Sequence, residues 1–140
     1  MEYAIACLTM QDYEDAVALW RSTEGIGLSS ADSREAITAY LERNPGMSFV
    51  ARGQQGELLG AVLCGHDGRR GYLHHAAVRA DFRGQGIGQA LVECCLGALQ
   101  AVGIDKCHLF VYKDNHAGRE FWEKTGWVER VTLVLMSKDI

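Results

Sequence analysis

The chain has 140 residues, enough for one domain that buries its own core, and its 48% hydrophobic and 23% charged residues fit a globular protein. Its net charge of −4 lacks the basic footprint of a nucleic-acid binder, and no apolar run approaches membrane-spanning length. No leader pattern is visible, and the five cysteines (7, 64, 94, 95 and 107) are an odd number without a C-x-x-C pair; they read as buried thiols of a cytoplasmic protein, not as a disulfide or metal framework.

In chain order, Tyr3–Cys7 reads as a strand. Thr9 with Asp12 reads as the cap of a helix whose Tyr13, Ala16, Val17 and Trp20 face the core at helical spacing. Glu24-Gly25-Ile26-Gly27-Leu28-Ser29-Ser30 breaks that pattern and reads as a loop. Asp32 with Glu35 signals a second helix carrying Ala36, Ile37, Tyr40 and Leu41, stopped by Asn44-Pro45-Gly46. The apolar period then switches to two over 48–52, 58–64 and 72–78, with turns at Gly53–Gly56 and His66–Gly71. On the third of these strands, simple alternation puts Tyr72, His74 and Ala76 on one face and His75 on the other.

After this strand come Arg83-Gly84-Gln85-Gly86-Ile87-Gly88-Gln89 and a helix with Ile87, Leu91, Cys94, Cys95, Ala98 and Val102 on one side, stopping at Gly103. Residues 106–112 read as a strand, 116–125 as a helix, and 127–130 and 132–137 as two closing strands. The order is β-α-α-β-β-β-α-β-α-β-β, an α/β (α+β) pattern, taken as a single domain over 1–140.

The glycine segment carries the chemistry. A helix start leaves N–H groups unpaired at the positive end of the dipole, and glycines at 84, 86 and 88 keep Cβ atoms away from an approaching phosphate. Two other phosphate motifs fail on spacing. No Lys-Ser or Lys-Thr follows the glycines, and G-x-G-x-x-G would need glycine at Gln89 or Leu91. A diphosphate remains the ligand this segment suits.

The surviving pattern, Arg83-x-x-Gly86-x-Gly88, resembles the acetyl-CoA loop of the GNAT N-acetyltransferases, R/Q-x-x-G-x-G/A between a strand and a helix. The element order is also the GNAT order. Asn115 followed by Phe121-Trp122-Glu123-Lys124-Thr125-Gly126-Trp127 resembles the family's N-x-x-A-x-x-x-Y…G-F/Y segment, with Trp122 where tyrosine usually sits.

The resemblance implies a GNAT fold: a mixed, mostly antiparallel sheet splayed between its fourth and fifth strands and flanked by about four helices. It implies acetyl-CoA as cofactor, with the diphosphate on Arg83, Gly84, Gln85, Gly86, Ile87, Gly88 and Gln89. Pantetheine would pair with the main chain of Ala76, Ala77 and Val78, the strand that in this family carries a bulge, and would meet Asn115 and Trp122. The implied partner is a small-molecule or peptide amine, with no nucleic acid or membrane and with a homodimer open through the last strands.

Such an amine, with a reference pKa near about 10.4, arrives protonated and needs a base. His74 is the first candidate and Glu24 the second. Phe110 stands where ribosomal-protein acetyltransferases of this family have glutamate, and Trp122, a donor without a usable proton, stands where the family's acid does. Tyr72 and Tyr112 are alternative acids. No metal cluster is expected. The alternative function is a non-catalytic acyl-CoA sensor.

Overall fold

The computed structural model describes residues 2–140 and divides the chain into two compact units, one reaching Phe110 and the other Val111–Ile140. The first contains one sheet of five strands in sequential order: β1 (Tyr3–Cys7), β2 (Phe49–Gly53), β3 (Leu58–His66), β4 (Gly71–Val78) and β5 (Cys107–Leu109). The first three pairings are antiparallel and β4–β5 is parallel. Helices α1 (Tyr13–Arg21) and α2 (Arg34–Arg43) supply residues to one face, where Ala16, Val17, Trp20 and Ile37 pack with Val50, Ala61, Leu63 and Ala77. On the other face lies α3 (Ile87–Ala101), whose Leu99 and Leu91 sit where side chains at Gly71 and Gly60 would point.

Local chemistry explains the starts of α1 and α2. Thr9 and Asp12 form the expected capping box, here around a 3₁₀ turn, Met10–Asp12, that feeds α1. Asp12 also bonds Arg52 of β2 at 2.7 Å, tying the cap to the sheet. The second helix starts later than Asp32-Glu35 implied. Asp32 serves a 3₁₀ turn capped by Ser29, and Ser33 is the N-cap of α2, its hydroxyl accepting from the Ala36 N–H at 3.1 Å. Ser29 and Ser33 both have extended backbones, and each caps the helical turn that follows it. Ile26 and Leu28 of the intervening loop pack on the core.

Several sequence expectations are corrected. On α3 the buried residues are Ile87, Leu91, Val92, Cys95 and Leu99, while Val102 lies beyond the helix end and is 55% exposed. Cys7 is exposed, and Cys94 and Cys107 are only part-buried, so the reading of five buried thiols holds for Cys64 and Cys95 alone. The fifth strand is three residues long, not seven. Neither closing strand forms. In the second unit α4 (His116–Lys124) is the one helix or strand, so 127–130 and 132–137 find no strand there to complete a ladder. Among the described residues, no helix is long and apolar enough to cross a membrane.

The alternation expected along β4 also fails, and this matters most. Ala61 pairs with Ala77 but Leu63 pairs with His74, so His75 and Ala76 together oppose Val62. This is a β-bulge, and His75 takes φ 55°, the sole positive φ among described non-glycine residues. The extra residue resets the phase. His74 meets Tyr40 of α2, and His75 meets Trp20 of α1, so both histidines face the α1–α2 side. The bulge itself is the one the family resemblance implied.

Asp12 is the joint between cap and sheet. Replacing it with alanine removes a bond to the Thr9 N–H and a part-buried partner of Arg52, and should cost about 1–3 kcal/mol in urea unfolding. A loss under half a kcal/mol would show that neither contact stabilises the fold.

Candidate active site

The site is built on β4 and on the turn that follows it. β5 pairs with β4 only at Gly71, Tyr72 and Leu73. From His74 to Val78 that edge has no strand partner in the first unit, which is the splay between the fourth and fifth strands. His75 and Ala76 also lack a one-to-one partner in β3. A run of edge backbone is thus left with hydrogen-bonding capacity open to another extended group.

Beyond Val78, a 3₁₀ turn, Ala80–Phe82, leads into the glycine segment. Gly84 and Gly86 have φ 79° and 84°, conformations that favour glycine, and a Cβ at either would meet nothing within 4 Å. The space above both is open. Gly86 caps α3, and the first i−4 bond runs from the Ala90 N–H to the Gly86 carbonyl at 3.0 Å. The amides of Ile87, Gly88 and Gln89 therefore have no acceptor within the helix. Arg83 donates through Nε to the Val78 carbonyl at 3.0 Å, fixing its guanidinium between strand and helix start. Gln85, between the two left-handed glycines, is exposed.

His74 lies in a cleft of about 230 Å³ walled by Tyr40, Arg43, Gly65, His66, Asp67 and Tyr72. Burial, with a smaller contribution from His75, holds its imidazole below the usual histidine pKa, and Asp32 only partly opposes this. The ring is mostly neutral at pH 7. Tyr72 stacks on it with centroids 6.4 Å apart, and Tyr40 meets it edge-on at 6.2 Å. Gly65 makes room for Tyr40, because a Cβ there would stand 2.6 Å from the phenol oxygen. That oxygen is buried and has no hydrogen-bond partner among the described residues, and burial pushes its pKa far above the usual range.

Of the two base candidates, the structure places His74 in this cleft and Glu24 elsewhere: Glu24 is an exposed turn residue with no hydrogen bond or ion pair among the described residues. The same loop reaches β4 through Asp32 instead. Its Oδ1 lies 2.8 Å from Nε2 of His75, its Oδ2 accepts from the Ser29 N–H, and its carbonyl accepts from the Tyr13 hydroxyl at 2.5 Å. Sequence reading missed this anchor because strict alternation turned His75 away. It also left out His66 and Asp67, reading them only as a turn; Asp67 does make that turn, its Oδ1 accepting from the amides of Arg69 and Arg70.

In the second unit, Asn115 is the N-cap of α4, its Oδ1 accepting from the Gly118 N–H at 3.0 Å. The half-buried Trp122 ring stands edge-on to Phe121 and Trp127.

The model of the acetyltransferase (GNAT) family matches residues 13–127. The chain belongs to this family. A relative named as an acetyltransferase, from Pectobacterium atrosepticum, is 33% identical over 134 residues, covering 96% of this chain and 93% of the relative. Among solved structures, Ard1 from Thermoplasma volcanium aligns with a TM-score of 0.80 at 19% identity, covering 91% of this chain and 84% of that one. The PaiA N-acetyltransferase of Thermoplasma acidophilum, solved in complex with coenzyme A, aligns at 0.77 and 19%, covering 90% and 89%. At such identities the likeness to solved structures is one of fold, and that fold is the GNAT fold.

A buried hydroxyl without a partner destabilises the state that contains it. Tyr40→Phe should therefore leave the midpoint of thermal unfolding unchanged or raise it. A fall equivalent to more than about 1 kcal/mol would reveal a hydrogen bond at that oxygen.

Proposed function

We propose that the protein is an acetyl-CoA-dependent N-acetyltransferase of the cytoplasm, acting as a single domain over residues 1–140 on a small-molecule or peptide amine. One observation carries this reading: β4 joins a free backbone edge to a half-buried, mostly neutral imidazole within eight residues.

Acetyl-CoA fits the residues present. The open space above Gly84 and Gly86 and the unpaired amides at 87–89 suit the oxygens of a diphosphate, with Gln85 and the Arg83 guanidinium beside them. The main chain of Ala76, Ala77 and Val78 suits the amides of pantetheine. Asn115 and Trp122 keep the cofactor-binding role that the family pattern gives them. When bound, acetyl-CoA supplies an activated acetyl group and a thiolate able to leave.

The remaining tasks fall to the protein. A backbone N–H on the free edge of β4 can donate to an oxygen on which charge develops, and such a bond strengthens as the charge grows. His74 takes the proton of the incoming ammonium through its unprotonated nitrogen. Trp122 donates a hydrogen bond but no proton, which leaves Tyr72, beside His74, as the acid of choice. The same indole favours the second reading, a non-catalytic acyl-CoA sensor. The absence of the glutamate and tyrosine at 110 and 122 speaks against ribosomal-protein substrates.

Two measurements test the reading. In isothermal titration, Gly86→Val should weaken acetyl-CoA binding at least about tenfold, while the strain of a side chain at φ 84° costs about 1–2 kcal/mol of fold stability. Unchanged affinity would remove the diphosphate assignment. In a free-thiol assay, His74→Ala should lower kcat about 10²–10⁴-fold and leave acetyl-CoA affinity within twofold. Because the folded pKa of His74 is lowered, its base form persists to lower pH than for an ordinary histidine. The acid limb of the parent kcat profile should thus lie below about pH 6.5 and vanish in the variant. Identical profiles would exclude His74 as base, and tight acetyl-CoA binding without thiol release for any amine would favour the sensor.

A further inference from the structure

His75, with its left-handed φ of 55°, stands in the chain between His74 and the edge residues Ala76, Ala77 and Val78. A side chain rarely adopts that conformation unless its surroundings hold it there. A change of torsion angle at 75 turns His74 and the free edge relative to each other, because the two lie on either side of it. The base and the cofactor edge are therefore only as well placed as this one residue. Misplacement by about 1 Å can cost a reaction about 10²-fold in rate.

Asp32 supplies the hold. Its Oδ1 lies 2.8 Å from Nε2 of His75, and because a carboxylate only accepts, that nitrogen carries the hydrogen. The two side chains are only 10% and 19% exposed, so water competes little for the bond. Asp32 is itself braced. Its Oδ2 accepts from the Ser29 N–H at 3.0 Å, its own N–H donates to the Ser29 carbonyl at 3.0 Å, and its carbonyl accepts from the Tyr13 hydroxyl. The Tyr13 ring in turn lies under the Arg34 guanidinium, 4.8 Å from it. The buried Trp20 ring stands against the imidazole, with centroids 5.1 Å apart. One carboxylate oxygen thus serves the α1–α2 connection and the other serves the strand.

Building on the acetyl-transfer reading, we propose that Asp32 is a positioning residue for the reaction: through His75 it holds the bulge in the conformation that sets His74 and the free edge of β4 in register, and it does not act on the reacting atoms.

The test uses the free-thiol assay with phenethylamine, spermidine and a short alanine-led peptide, keeping whichever the parent acetylates fastest. Asp32→Ala should lower kcat about 10- to 100-fold while the KM of the amine stays within about threefold. Asp32→Asn keeps an oxygen for the Nε2 hydrogen and should return kcat to within about threefold of the parent. His75→Gly takes the left-handed conformation with no side chain to hold, so adding Asp32→Ala to it should change kcat by less than about twofold. Should Asp32→Ala fail to fold, Asp32→Ser, which is too short for His75 but keeps a polar atom for the Ser29 amide, takes its place in both backgrounds.

A parental kcat in Asp32→Ala, with only the unfolding temperature lowered, would make Asp32 structural and overturn the proposal, leaving acetyl transfer standing. An equal loss of kcat in the His75→Gly background would overturn it as well, because Asp32 would then act other than through His75. If the parent releases thiol with none of the three amines, acetyl transfer falls and calorimetric affinity for acetyl-CoA is read instead. A loss of affinity in Asp32→Ala that disappears in the His75→Gly background supports positioning of the edge. Unchanged affinity, or no binding by the parent, overturns it.

Discussion

One additional residue in β4 determines most of what this molecule can do. Because His75 and Ala76 together face Val62, the strand changes phase halfway along its length. Residues before the bulge send Tyr72 and His74 toward α2, and residues after it send Ala77 into the core beneath α1. A regular strand would turn either His74 or Ala77 to the α3 side. The bulge lets the same strand present an imidazole to a cleft and a small apolar residue to the core.

The left-handed conformation at His75 is one that side chains adopt at an energetic cost, so the surroundings must hold it. The Asp32 carboxylate does this from the α1–α2 connection, with Trp20 against the histidine ring. Asp32 is in turn fixed by the Ser29 amide and the Tyr13 hydroxyl. Helix capping, loop anchoring and strand distortion thus meet in one carboxylate. The free edge of β4 and the amides at the start of α3 follow directly along the chain, so the geometry at 75 propagates to the places where a cofactor would lie.

Much of this was legible in the sequence. The spacing of 84, 86 and 88 located the open helix start, because no regular helix needs glycine there. The apolar period gave the first strands and helices nearly residue by residue, and the Thr9–Asp12 cap formed as its residue types require. What escaped was non-local. The bulge depends on register with β3, which no single strand encodes, and with it went the direction of His75 and the role of Asp32. Glu24 reads as a candidate base and Asp32 as the start of a helix, and which carboxylate reaches β4 depends on a partner that the local sequence does not show. The residues at 132–137 have strand composition, but composition supplies no neighbour, and a strand without one is only extended chain.

The conformation at position 75 also limits how this protein can vary. Glycine, asparagine, aspartate and histidine are the residues best suited to a left-handed backbone. Glycine offers no side chain, asparagine ends short of where Nε2 meets Asp32, and aspartate would set one negative charge against another. Histidine alone in that short list satisfies the backbone and reaches the carboxylate with a donor. Sequence drift here is confined by torsion angle first and by chemistry second, so a substitution at 75 needs a matching change at 32 to be accommodated.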